Sequence, residues 1–93
     1  MTNTKNLMSE ISQFVEERDW NQFHSPKNLS MALGIEVVEQ QEHFQWLTQK
    51  QSMNLSEEKL QDVKEEIGDI FIYLIRLCQV LDIDPVKAAK EKL

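Results

Sequence analysis

The sequence predicts an all-α fold: an antiparallel helical hairpin core forming a four-helix-bundle-type assembly shared between protomers. Three observations carry that prediction. Only two Gly and two Pro interrupt 93 residues, so turns are few and long elements are favoured. Apolar residues recur at helical spacing in nearly every segment. Two cap-then-proline pairs, Ser25-Pro26 and Asp84-Pro85, mark helix starts. A single domain over residues 1–93 is expected, and a chain this short buries little of its surface alone, which calls for a second chain to share the core.

Leu7, Met8, Ile11, Phe14 and Val15 follow the i, i+4, i+7, i+8 pattern and predict a first amphipathic helix from about Thr4 to Arg18. The segment Asp19 to His24 then mixes two aromatics with polar residues and reads as a loop. A second helix is expected from Pro26 to about Gln49, roughly 35 Å long at 1.5 Å per residue. Its core stripe is Leu29, Leu33, Val37, Phe44 and Leu47, and its other stripe is Glu36, Glu39, His43 and Trp46. The polar stretch Gln51 to Ser56 is the turn of the hairpin. Ser56 caps a third helix running to about Leu81, with Glu57 and Glu58 set against the positive end of its dipole. After Glu66 that helix is apolar almost all round, so part of its surface is assigned to a dimer interface. A fourth helix begins after Pro85, from Val86 onward.

The net charge of -6 excludes nucleic acid as the main partner, because no basic stripe is present to neutralise phosphates. An anionic membrane is excluded on the same ground, and no apolar run has the length to span a bilayer. The N-terminal residues lack the apolar run of a signal peptide, which makes the cytoplasm the expected location. Cys78 is the single cysteine and sits among apolar residues, so it reads as core packing in a reducing compartment.

The chemistry lies in two carboxylate pairs, Glu36-x-x-Glu39 and Glu66-x-x-Asp69. Positions 36 and 69 share a midpoint with 39 and 66, between Ser52 and Met53, so a hairpin turning there sets Glu36 opposite Asp69 and Glu39 opposite Glu66. A spacing of three places each pair on one helix face. Four converging carboxylates repel one another unless a cation compensates them. Mg2+, or Mn2+, is the natural ion, since both take oxygen ligands and Mg2+ keeps positions for water and phosphate. Acidic pairs at this spacing are routine on solvated helix faces. Here, however, Glu66 and Asp69 interrupt an apolar helix, where unpaired charge is expensive.

Trp20, Phe23, Trp46 and Tyr73 could wall a flat pocket for a nucleobase. Aromatics near helix ends are usually core, but Trp46 and Tyr73 follow the carboxylate stripes, which places them near the metal. His43 and Arg76 extend the same stripes and read as polar residues at the bundle rim. Gly68 either permits a close helix approach or is neutral. Glu-x-x-His pairs, His-Glu-x-x-His and phosphate-binding glycine loops are all missing from the sequence, which leaves hard-cation chemistry on an anionic substrate.

These residues resemble the MazG-like all-α nucleoside triphosphate pyrophosphohydrolases, whose E-x-x-E and E-x-x-D metal signature matches Glu36 to Glu39 and Glu66 to Asp69. The stretches Glu17 to Leu29, Phe44 to Trp46 and Asp69 to Leu77 are similar to the dCTP pyrophosphatase-like subgroup. The resemblance implies Mg2+ on Glu36, Glu39, Glu66 and Asp69, and a base and sugar pocket of Trp20, His24, Trp46 and Tyr73. Ile11 stands where relatives can carry a polar, base-contacting residue. Relatives also continue into a Lys-, Asn- and Arg-bearing segment that contacts phosphate; here those contacts are either absent, supplied by Lys87 or Lys90, or lost by truncation.

The implied activity is hydrolysis of a deoxynucleoside triphosphate, dCTP or a modified pyrimidine first, to the monophosphate and pyrophosphate. Its role would be nucleotide-pool house-cleaning in a homodimer or a dimer-of-dimers tetramer. Glu39 leads, with Glu66 beside it, as the carboxylate for the proton of the attacking water. The competing readings are a non-catalytic helical oligomerisation module and a pyrophosphohydrolase acting on another nucleotide.

Overall fold

The computed structural model describes residues 2–93. Helix α1 (Thr2–Glu17) leads through a 3-10 turn (Trp20–Phe23) into α2 (Pro26–Glu42). A short α3 (Gln49–Ser52) lies in the hairpin connection, followed by the long α4 (Glu57–Leu81) and α5 (Pro85–Lys92). No strand occurs among the described residues. The expected all-α hairpin is therefore present in a single chain, with α2 packed antiparallel on α4 and α1 laid against α4.

Local chemistry sets most boundaries. Ser25 accepts from the Asn28 amide at 3.1 Å and Ser56 from the Lys59 amide at 3.1 Å, each satisfying a free N–H of a first helical turn. Asp84 accepts from Val86 and Lys87 at 3.0 and 3.2 Å, and Pro85 supplies the fixed φ of a first helical residue. Asp82 ends α4 in the left-handed region (φ 56°), a conformation aspartate tolerates better than most residues. The Ile83 amide then reaches the Cys78 carbonyl at 2.8 Å.

Helix α2 stops at Glu42 instead of running to Gln49. The His43 and Phe44 amides bond to carbonyls three residues back, tightening the last turn, and the chain leaves the axis. Thr48 then starts α3 with a reciprocal capping box: its hydroxyl accepts from the Gln51 amide, and the Gln51 side chain accepts from the Thr48 amide. That T-x-x-Q pattern was present in the sequence and marks a new start at the expected end, while α2 itself stops seven residues earlier. The aromatic segment before α2 likewise forms a 3-10 turn, entered through Asp19 at φ 54°.

The core lies between α1 and α4, where Ile11, Val15 and Ile75 form one cluster with Leu7 and Met8 packed on it. Ile75 is 0% exposed. Leu29, Val63 and Cys78 are also buried, the last as expected of a packing thiol. The α2–α4 seam follows a 4-3-4-3 spacing. Leu29, Leu33, Glu36, Gln40 and His43 are the covered positions of α2, and Lys59, Val63, Glu66, Ile70, Tyr73 and Leu77 those of α4. Val37, expected in the core, is instead exposed, because the helix turns it one flank away from this seam. Apolar Met31, Ile35 and Val38 of α2 and Ile67, Phe71 and Leu74 of α4 lie outside.

Candidate metal centre and adjoining cleft

The seam register carries Glu36, Glu39 and Glu66 to one point, where one oxygen from each lies within 4.8 Å of the others. Glu36 lies close to both Glu66 and Glu39. Asp69 falls outside this three-carboxylate group, yet its charge acts on Glu36 and its side chain lines the neighbouring cleft.

Burial makes this cluster costly without a cation. Glu36 Oε2 and Glu66 Oε1 are shut off from solvent with no hydrogen-bond partner, as is Gln40 Oε1 one turn along from Glu36. Buried oxygens normally find partners, and each orphan costs about 1–3 kcal/mol. The Glu36 carboxyl is pushed above its usual range, chiefly by the close approach of the Glu66 side chain, then by burial and the charges of Glu66 and Asp69, with Glu39 opposing. A proton is the substitute for a missing positive charge. An all-oxygen donor set with unpartnered, inward-facing lone pairs fits a hard divalent cation. Gln40 escaped the sequence reading; its signal was its position four residues after Glu36 on the same face.

Beside the cluster, α1, the 3-10 turn and α4 enclose a cleft of about 600 Å³. Leu7, Ile11, Phe14 and Val15 form its α1 wall, Trp20, Phe23 and His24 its turn wall, and Asp69, Ile72, Tyr73 and Arg76 its α4 wall. Trp20 meets Phe14 edge-on at 5.4 Å between ring centroids, and the Arg18 guanidinium caps the Phe14 ring at 3.5 Å. Ile11 belongs to both the core and the cleft, so its side chain offers the cleft apolar surface.

Of the expected pocket residues, Trp20, His24 and Tyr73 come together here. Trp46 does not: the early end of α2 places it in the connection to α3, 87% exposed and outside the cleft. Arg76 is not a free rim cation. Its Nε donates to His24 Nδ1 at 3.0 Å, one terminal nitrogen donates to Gln79 Oε1 at 3.1 Å, and the other donates to Asn21 Oδ1. Burial first, and the Arg76 charge second, hold His24 below the usual imidazole range. A β-carbon on Gly68 would meet nothing within 4 Å, so no close helix approach requires glycine there.

A helical hairpin with a carboxylate cluster in its seam, beside an aromatic cleft, defines an all-α protein with a candidate hard-cation site. The chain belongs to the MazG-like family, whose model matches residues 31–93. It is 38% identical over 84 residues to human dCTP pyrophosphatase 1 and 37% identical over 84 residues to the mouse protein of that name, covering 88% of this chain and 49% of each relative. The chain thus spans about half the length of these curated relatives. In structure it is similar to a pyrophosphatase from Archaeoglobus fulgidus, with a TM-score of 0.91 and 37% identity over 97% of this chain and 84% of that one. Among the described residues no helix is long and apolar enough to cross a membrane.

Proposed function

We propose that residues 1–93 form a single domain that hydrolyses deoxynucleoside triphosphates to the monophosphate and pyrophosphate in the cytoplasm, with dCTP or a modified pyrimidine nucleotide favoured. The observation that carries this reading is the group of three carboxylates within 4.8 Å, holding buried unpartnered oxygens beside an aromatic cleft. The names of the similar proteins support the reaction class.

Glu36, Glu39 and Glu66, with Asp69 between them and the cleft, would hold Mg2+ or Mn2+. When bound, such an ion supplies Lewis-acid polarisation of a phosphoryl oxygen and eases ionisation of water. Trp20 and Tyr73 offer aromatic faces to a base, and His24 adds a polar contact. Asp69 lines the cleft, so a base seated there has its triphosphate directed toward the cluster. Water attacks the α-phosphorus: a new phosphorus–oxygen bond forms, the bond to the α–β bridging oxygen breaks, and pyrophosphate leaves. Glu39, the exposed member of the cluster, takes the proton of that water, with Glu66 as the neighbouring carboxylate.

Trp46 can serve the same pocket only if a second chain brings it there. The exposed apolar faces of α2 and α4 support such an assembly, a homodimer or a dimer-of-dimers tetramer. These faces also favour the second reading, a non-catalytic oligomerisation module.

The test is pyrophosphate release from a panel of dNTPs and NTPs with Mg2+, run beside Glu39→Gln and Asp69→Asn proteins of unchanged helicity. Turnover is expected in the parent chain and a loss of at least about a hundredfold in both variants. No turnover on any triphosphate would promote the oligomerisation module.

A further inference from the structure

Three walls of the cleft are tied together by two linked side chains of α4, Arg76 and Gln79. Arg76 projects from α4 and donates from Nε to His24 Nδ1 at 3.0 Å, while a terminal nitrogen donates to Asn21 Oδ1 of the 3-10 turn. Its other terminal nitrogen donates to Gln79 Oε1 at 3.1 Å, and Gln79 Nε2 donates to the Met8 carbonyl of α1 at 2.8 Å. Three of these contacts join residues more than fifty positions apart. Guanidinium is a fork of fixed geometry that carries donors only. Each of its three nitrogens already serves a protein acceptor.

The bond to His24 has a chemical consequence. Arginine cannot accept a hydrogen bond, so the imidazole nitrogen facing it must carry a lone pair. His24 is then neutral, with its proton on Nε2. No protein partner occupies Nε2 among the described residues, and His24 lines the cleft. Arg76 contacts it directly, Asn21 shares that guanidinium, and the other titratable groups lining the cleft are Asp69 and Tyr73 from α4 and Glu10 from α1. The depressed affinity of His24 for protons agrees with this arrangement.

We propose that Arg76 is a positioning residue that fixes His24 as the neutral Nε2–H tautomer, so that the cleft presents one oriented donor and selects a ligand with an acceptor edge. A pyrimidine carbonyl meets that requirement, and this ligand assignment rests on the nucleotide reading above. A purely structural role for Arg76 would hold the turn in place but leave ligand discrimination indifferent to His24.

The test has two arms. In the first, nitrogen-15 NMR of the imidazoles in the free protein reads the tautomer without ligand or metal; His43→Gln identifies the remaining signal as His24. The expected result is an Nε2–H imidazole at pH 7.5 that becomes a mixture of tautomers in Arg76→Met. Where Arg76→Met loses helicity, Arg76→Lys, which keeps the charge but not the fork, is read in its place, with the same expectation. An Nδ1–H or charged His24 in the parent protein, or a tautomer unchanged in the folded variant, overturns the proposal.

In the second arm, KM for dCTP is measured for the parent chain, Arg76→Met, His24→Ala and the double variant. Loss of one oriented hydrogen bond is expected to raise KM about tenfold in Arg76→Met. The same change made on His24→Ala should alter KM less than about twofold. Equal effects in both backgrounds overturn the route through His24. Absence of turnover on every triphosphate overturns the nucleotide reading and the pyrimidine edge with it, while the tautomer still decides the role of Arg76.

Discussion

Helix α4 is packed by opposite rules on two of its faces. Against α1 it presents Ile75 to Ile11 and Val15, and the result is a dry cluster. Against α2 it presents Glu66 to Glu36 and Glu39, and the covered seam holds oxygens that nothing satisfies while Ile35, Val38, Ile67 and Phe71 face outward. A hairpin selected for stability alone would invert that second arrangement, because a buried charge without a partner is unfavourable and an exposed apolar side chain forgoes stabilisation. The difference separates a dry contact from one whose apolar packing by Leu29 and Val63 is interrupted by unpartnered carboxylate oxygens.

The comparison breaks most readily at the dry contact. Ile75→Ala removes a fully buried branched side chain and should cost about 2–5 kcal/mol, enough to lower the urea midpoint sharply or abolish folding. A loss below about 1 kcal/mol would show that the α1–α4 cluster is not the core.

Glu36→Leu makes the opposite change in the seam. The variant is expected to unfold at higher temperature than the parent in chelator, by the equivalent of about 1 kcal/mol or more, and to lose any Mg2+-induced rise in Tm. Thermal scans of both proteins with and without Mg2+ read this directly. A parent chain indifferent to Mg2+ would remove the cation from the account.

Smaller changes sharpen the picture at its edges. Thr48→Ala deletes one half of the capping box at α3 and should cost about 1 kcal/mol, with faster amide exchange at Gln51 and neighbouring residues. At the cleft, the sign of pH dependence follows from His24. Its folded pKa lies below the value of 6.5 for the free side chain, so the unfolded chain takes up the proton first as pH falls. Stability contributed by neutral His24 is therefore intact above about pH 6.5 and declines as pH drops through the folded pKa. Urea midpoints at pH 7.5 and pH 5 should differ less in His24→Gln than in the parent; equal differences would deny His24 that role.

Much of this arrangement was legible along the chain. Ser25-Pro26, Ser56 and Asp84-Pro85 announced three helix starts because caps act within one turn and depend on neighbouring residues alone. The end of α2 was obscured because Phe44 and Leu47 continue the apolar rhythm and no Gly or Pro interrupts it; Thr48 and Gln51 were the overlooked signal. The carboxylates stood out by type and spacing, and three of the four converge. Which of them face each other depends on how α2 and α4 slide along the seam, and α3 occupies the connection that sets this. Most of the aromatic cleft was visible: Trp20, Phe23, His24 and Tyr73 line it, while the exposure of Trp46 follows from where α2 ends.

By itself, then, the sequence determined the helices, their caps and the choice of acidic residues, since these depend on propensity and on neighbours three or four positions away. Only the tertiary structure decided that Glu36 meets Glu66, that Asp69 looks into the cleft, and that Arg76 reaches across to His24. Those outcomes depend on how two helices slide and rotate against each other. A shift of one turn in that register leaves every local preference satisfied and changes every partner.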